Sequence, residues 1–144
     1  MKGKFDFSVD QSSIQMFSAN CNAALTKVGN GSRKALQQAL EDILDESLNQ
    51  VPVETGTLMD SASYEITGHY KTGWEGKIGY GMNIDAVNPN SGKPASSYAV
   101  VVHEDLSAKH PVGKAKFLED PVRAYAKSRF PRTVFDYVKD SLAD

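Results

Sequence analysis

The sequence predicts an α+β fold in which an antiparallel sheet of three to four strands packs against a long N-terminal helix and against C-terminal helices. Three observations support this class. Apolar residues recur at three- and four-residue steps through the first third of the chain, short glycine-broken segments follow, and an Asp-Pro pair near residue 120 opens a further apolar repeat. There is neither an internal repeat nor a linker, so we expect one domain over residues 1–144.

The composition is that of an ordinary folded protein. Of its 144 residues 40% are hydrophobic and 24% are charged, which argues against a disordered chain. The single cysteine, Cys21, cannot form an internal disulfide, and this fits a reducing compartment. No apolar run reaches the ~18 residues of a membrane span, and the first residues lack the apolar core of a signal peptide. We therefore expect a soluble intracellular protein.

The N-terminal third predicts a short strand and then helix. "KFDFSV" alternates aromatic with polar residues, and Asp10 is a good N-cap for the helix after it. Gly29 is predicted to end this helix and Ser32 to cap a second one, which Pro52 ends. The two helices are nearly in phase, so one long helix bent at the glycines remains an alternative. Their apolar positions are Ile14, Phe17, Cys21, Leu25, Val28, Leu36, Leu40, Ile43, Leu44 and Leu48.

The middle of the chain predicts strands and two long loops. Glycines break residues 57–80 into short segments typical of antiparallel strands. The Pro- and Gly-rich residues 81–97 predict a mobile loop, and residues 105–116 predict a second one. Between them "YAVVVHE" is apolar from residue 98 to residue 102, which predicts a central strand covered on both faces.

The last part of the chain predicts two helical segments. Asp120 followed by Pro121 is typical of a helix start, and Pro131 is expected to interrupt the helix. A final amphipathic segment then runs to the C-terminus.

Two histidines near the second loop raise the possibility of a metal site. His103, Glu104 and His110 could ligate a metal in a small metal-dependent hydrolase, which we keep as an alternative function. In zinc proteases, however, the histidines stand four apart on one helix, whereas these stand seven apart across a loop. We therefore assign no catalytic residue, no metal site and no cofactor. We also assign four helix carboxylates to solvent; they are Glu41, Asp42, Asp45 and Glu46.

Charge is unevenly distributed along the chain. Residues 105–132 carry seven Lys or Arg against three acids, and residues 1–104 are net acidic. The aromatics among these bases make a nucleic-acid-binding module a second alternative, but contact with an acidic protein neighbour is the better interpretation. The bases are Lys109, Lys114, Lys116, Arg123, Lys127, Arg129 and Arg132.

Three landmarks resemble one known family. The first is "VPVETGTLMDSASYE" directly after a helix, the second is "YAVVVHE" and the third is "KFLEDP". In their order and spacing they resemble the minor capsid and tail-completion proteins of long-tailed bacteriophages, and the resemblance covers about residues 30 to 125. The matching positions of the first landmark are Pro52, Thr55, Gly56, Leu58 and Ser61. Those of the second and third are Tyr98, Ala99, His103, Glu104, Phe117, Leu118 and Pro121.

The resemblance implies a structural protein without enzymatic activity. Proteins of this family assemble at the junction of capsid and tail, usually as rings, so the expected partners are copies of this chain and neighbouring connector or tail proteins. The expected location is the virion, and the host cytoplasm during assembly, with no membrane and only incidental contact with packaged DNA. The expected ring interface pairs the acidic helix face with the basic segment; its candidates are Glu41, Asp42, Asp45, Glu46, His103, Glu104, His110, Lys114, Lys116, Arg123 and Lys127.

Overall fold

A computed structural model of the protein describes residues 10–144. The predicted strand in "KFDFSV" lies outside the described residues. The elements are α1 (Gln11–Leu48), α2 (Thr57–Asp60), β1 (Ala62–His69), β2 (Gly73–Tyr80), a 3-10 turn (Ala95–Ser97), α3 (Ala99–Glu104), α4 (Glu119–Ser128) and α5 (Phe130–Ala143). The α+β class is confirmed.

Helix α1 is one continuous helix of 38 residues, about 57 Å long. Asp10 caps it as predicted, because its carboxylate accepts a 2.7 Å hydrogen bond from the Ser13 amide. Of the two alternatives, the single long helix is observed and the two separate helices are not, since Ser32 lies within the helix and its hydroxyl donates to the Val28 carbonyl oxygen. Gly29 instead admits a close neighbour: a Cβ atom there would lie 2.4 Å from the Cβ of Tyr70.

Helix α5 packs along α1 in the opposite direction. Gly31 of α1 approaches Val138, whereas Asp42, three turns further on, meets Arg129 just before α5. At Gly31 an added Cβ would lie 2.9 Å from the Cα of Val138, so the two backbones nearly touch. The small residues of α1 thus allow the close helix contact that forms one layer of the body.

The sheet among residues 10–144 has two strands, so the predicted three to four strands are wrong. Strands β1 and β2 form an antiparallel hairpin in which Ala62 pairs with Tyr80 and His69 with Gly73. The hairpin packs on α1, where a Cβ at Gly76 would lie 2.8 Å from Leu40 Cδ1. The absence of a side chain at Gly76 lets the leucines of α1 lie directly on the strand.

The segment "YAVVVHE" forms α3 rather than a strand, and this prediction is also wrong. Only Ala99 of its apolar run is buried, while Val100 and Val101 are 72% and 66% exposed. A central strand would bury both faces of this run. The segment instead makes a short helix, because Ala99 and Val102 pack on Phe117 and its neighbours in the core.

Helices α4 and α5 are separated at Arg129, close to the predicted interruption. Pro131 lies in the first turn of α5, where its missing N–H has no helical partner to lose. A core cluster of Ala39, Ile43 and Tyr125 joins α1 to α4. Within residues 10–144, no helix is long and apolar enough to cross a membrane.

Candidate functional site

The three landmarks meet at one end of the body. Leu58 of the first landmark, Ala99 of the second and Phe117 of the third lie in one buried cluster together with Val51 and Ala95. Phe117 is 1% exposed and is the largest fully buried side chain there. The landmark residues therefore build a framework that joins segments distant in sequence.

The first landmark forms the turn after α1. Gly56 has φ +80, a left-handed conformation that favours glycine. The hydroxyl of Thr55 lies 2.6 Å from that of Thr57, and the buried Ser61 hydroxyl donates to the Leu58 carbonyl oxygen at 2.8 Å. Thr57 and Ser61 are buried in this turn, and the side-chain hydroxyl of each therefore has a hydrogen-bond partner.

Phe117 is held by two aromatic neighbours. Tyr80 of β2 and His103 of α3 each contact its ring edge-on with centroids 5.0 Å apart. Burial raises the pKa of Tyr80, whose hydroxyl is hydrogen bonded to Ser47 at 2.7 Å. Phe117 thereby links the hairpin, α3 and the C-terminal end of α1.

His103 uses both ring nitrogens inside the protein. Its Nε2 accepts a 3.2 Å hydrogen bond from the amide of Glu119, the first residue of α4, and its Nδ1 lies 2.7 Å from Glu104 Oε1. An accepting Nε2 places the proton on Nδ1, which then donates to Glu104. His103 therefore caps α4, which has no other side-chain cap, and keeps no lone pair free for a metal.

An ion-pair chain joins α3 to α4 beside this histidine. Lys116 contacts both Glu104 and Glu119, and Glu119 also contacts Arg123 at 2.6 Å. Hydrogen bonding from Lys116 lowers the pKa values of Glu104 and Glu119, and the two carboxylates raise the pKa of Lys116. These contacts favour the charged state of Glu104, Lys116 and Glu119, and they hold α3 against α4.

The loop of residues 105–116 is attached to the body at its C-terminal end. Gly113 has φ +89 and lies so close to Pro52 that a Cβ would be 2.5 Å from the Pro52 nitrogen. The amide of Lys114 donates to the Gln50 carbonyl oxygen at 2.9 Å, and its side chain pairs with Asp120 at 2.7 Å. The pKa of Asp120 is lowered by this hydrogen bond. The free part of this loop is thus limited to about residues 106–112.

The loop of residues 81–97 is also organised. Val87 and Pro94 form an isolated β-bridge, and the Asn88 amide donates to the Lys93 carbonyl oxygen at 2.9 Å. Asp85 accepts hydrogen bonds from both the amide and the hydroxyl of Ser96, which lower its pKa. The loop is a small hairpin whose exposed tip projects from the body.

An open groove of about 810 Å³ lies between the two loops and the first landmark. Its walls include Thr55, Tyr98, Val102 and Lys93. The Nε2 atom of His110 is buried in the protein and has no hydrogen-bond partner among residues 10–144. His110, which the sequence places in the second loop, therefore lies at the groove wall. It does not act together with His103, which caps α4. Within the described chain, no three His, Cys, Asp or Glu side chains are arranged to hold a metal ion.

The acidic helix face divides into two halves. The assignment of Glu41 and Asp42 to solvent is wrong: Glu41 accepts a 2.8 Å hydrogen bond from the Tyr64 hydroxyl, and Asp42 pairs with Arg129 at 3.0 Å. Hydrogen bonds, first from Gln37 and then from Tyr64, lower the pKa of Glu41. Asp45 and Glu46, one turn further along, are exposed as predicted.

The basic segment is largely neutralised by the chain's own acids. Of its seven bases, five make ion pairs within the protein; these five are Lys114, Lys116, Arg123, Arg129 and Arg132. Lys109 and Lys127 are exposed and make no ion pair among the described residues. Among these pairs, that of Arg129 with Asp42 spans 87 residues and has no local signal. The pairs of Lys116 and Arg123 with Glu119 stand at helical spacing, which sequence reasoning could have used.

Comparison of the chain with models of protein families, with curated proteins and with solved structures finds no match.

Proposed function

We propose that this chain is a structural virion protein of a tailed phage or prophage. It acts at the junction of head and tail, as a neck, tail-completion or minor capsid protein, and assembles through subunit contacts, into a ring. It is not an enzyme. The observation that carries the proposal is that all three landmarks contribute to one buried cluster, through Leu58, Ala99 and Phe117. Residues of that kind specify a framework and not a reaction.

Exposed apolar side chains around the landmarks support a role in assembly. Soluble proteins rarely expose grouped large apolar residues unless another molecule covers them. Here five such side chains, each more than half exposed, lie on α3 and on the two loops beside it. They are Val87, Val100, Val101, Leu106 and Val112. This landmark end of the body is the surface that we propose meets a neighbouring subunit or connector protein.

The groove beside these residues suits a segment of a neighbour. It is bounded by both loops and by the first landmark, and it is lined by apolar groups such as Val102 and by polar groups such as Asn88. An extended segment of an adjacent subunit would supply both an apolar and a hydrogen-bonding complement.

The charged part of the ring interface narrows to the candidates that make no ion pair among residues 10–144. Glu41 and Asp42 stabilise the fold, so a charge-based contact uses Asp45 and Glu46 on one copy and Lys109 and Lys127 on the next. Such a contact joins different patches and is therefore heterologous, as a head-to-tail ring requires.

Two experiments test the proposal. Electron microscopy of virions that carry a labelled copy of the chain is expected to place the label between capsid and tail; label on the capsid shell or the tail tip contradicts the function. For the interface, Asp45→Lys with Glu46→Lys is expected to abolish incorporation, and Lys109→Glu with Lys127→Glu in the same chain to restore part of it. Reversal of the exposed acids Glu75 and Asp140 is the matched control. Normal incorporation of the first variant would refute the charged contact.

A further inference from the structure

The first part of α1 projects beyond the body, and no other part of residues 10–144 covers it. Every residue from 11 to 25 is exposed, and burial begins at residues 26 to 31, where Gly29 and Gly31 meet the hairpin and α5. We call residues 11–26 the arm; it is about 24 Å long. Within it Ile14, Phe17 and Leu25 are 55%, 72% and 57% exposed. These are the side chains that a folded protein ordinarily covers.

The arm continues the buried face of α1. Four residues of the arm lie on the same side of the helix as Ala39; they are Ile14, Phe17, Cys21 and Leu25. Each is separated from Ala39 by close to a whole number of 3.6-residue turns, so its direction around the helix axis agrees with that of Ala39 within about 40°. Over residues 29–47 this face packs on α4, on α5 and on the hairpin, and Val28, where the arm joins the body, remains partly exposed. Beyond them the same apolar stripe runs on with nothing of the described chain against it.

The spacing of the stripe identifies what would cover it. Its positions, Ile14, Phe17, Cys21, Leu25 and Val28, follow steps of 3, 4, 4 and 3 residues, an average of 3.5, which is the coiled-coil period. This pattern reads the same in both directions about Cys21. Two copies laid antiparallel with Cys21 at the centre therefore place Phe17 of each copy against Leu25 of the other, and Ile14 against Val28.

The charge of the arm also suits a second copy. Residues 11–26 contain no Asp, Glu, Lys, Arg or His, so two arms meet without repulsion between like charges. Ser, Asn and Thr are frequent in the arm and are weak helix formers, so packing must support its helix. A strip of this length buries on the order of 1,000 Å² in total, near the lower limit for a specific interface.

We propose that the arms of two copies pair antiparallel about Cys21 and form a weak, reversible dimer. This inference rests on the arm alone and is independent of the head-tail function. It predicts a dimer at high protein concentration and a monomer on dilution, and helical content that rises with concentration as the arms pair.

Sedimentation of the full chain in reducing buffer tests the pairing. Phe17→Glu is expected to weaken dimerisation by ~10-fold or more, because it places a carboxylate in the centre of the contact. Ala19→Glu adds the same charge on the opposite face of the arm and is expected to leave it unchanged. Both positions are exposed, so neither variant alters the body. A chain that stays monomeric at all concentrations, or dimers that tolerate Phe17→Glu, would overturn the proposal.

Two further variants test the direction of pairing. Combining Phe17→Glu with Leu25→Lys puts opposite charges against each other only in the antiparallel arrangement, so it should recover part of the dimer that Phe17→Glu loses. With diamide as the oxidant that accepts the two hydrogens of two thiols, Cys21 is expected to link two chains by a disulfide. The control carries Cys21→Ser with Ala19→Cys and should link much less. Equal linking of both proteins, or a double variant no better than the single one, would exclude this register.

Discussion

The amide of Lys116 donates a 2.8 Å hydrogen bond to the carbonyl oxygen of His103, and it does so from a left-handed backbone with φ +58. Lys116 is the sole residue other than glycine with positive φ among residues 10–144. The same residue pairs through its side chain with Glu104 and Glu119. A conformation that costs free energy is thus held where the chain turns from the second loop into α4.

Two substitutions distinguish the effect of the Lys116 backbone conformation on stability from the effect of its side-chain charge. Lys116→Ala and Lys116→Gly both remove the ion pairs, but only glycine adopts positive φ without steric cost. We expect Lys116→Gly to be more stable than Lys116→Ala by about 1 kcal/mol, as measured by urea unfolding. The opposite order would mean that this backbone conformation carries no strain.

Acid is expected to loosen the contact between α3 and α4. The pKa values of Glu104 and Glu119 are lowered in the folded protein, so their pairing stabilises it above the unfolded Glu value of about 4.3. This contribution is lost as the pH falls through the lower folded pKa values. Thermal unfolding between pH 3 and pH 7 should show it, and Lys116→Met should have a shallower pH dependence below pH 5. Parallel profiles for the two proteins would contradict this.

Replacement of Gly29 by alanine is expected to destabilise the folded protein. Alanine forms helix better than glycine by roughly 1 kcal/mol, so Gly29→Ala would stabilise an isolated helix. Here the new methyl group would lie 2.4 Å from the Tyr70 Cβ, and the hairpin would have to move. We expect a loss of about 1–3 kcal/mol in unfolding free energy. Asn30→Ala, one residue further on an exposed face, is the control and should be neutral or stabilising.

Phe117 is expected to be the most sensitive landmark position. It is 1% exposed and contacts Tyr80 and His103, so Phe117→Ala should cost about 3–5 kcal/mol. Phe117→Leu retains most of the apolar volume and should cost less than half as much. Denaturant unfolding of both variants gives the comparison. A near-neutral Phe117→Ala would show that the landmark cluster does not hold this end together.

Local signals predicted the elements whose determinants are close in sequence. Asp10 caps α1 and Pro131 lies in the first turn of α5, because each acts on neighbouring backbone groups. The glycines in residues 57–80 likewise predicted antiparallel strands, and Gly68 and Gly73, both with positive φ, lie where β1 and β2 meet their connecting turn. Such features need no knowledge of tertiary structure.

Features that depend on distant contacts could not be predicted. Gly29 looked like a helix end, but its role is to admit Tyr70, which lies 41 residues away. Val100 and Val101 suggested a strand, because a short apolar run has no period of its own and only Phe117 decides which face is covered. His103 suggested a ligand, and its cap on Glu119 becomes visible only once α4 is placed beside α3.

One helix, α1, spans two regimes of local stability. The amides of Ala35 and Ala39 lie in the packed half, where exchange with deuterium requires the body to open. The amides near Ser18 lie in the arm, where fraying of the helix alone exposes them. In a dilute monomer, we expect exchange rates to fall steeply along this single helix between residues 26 and 35.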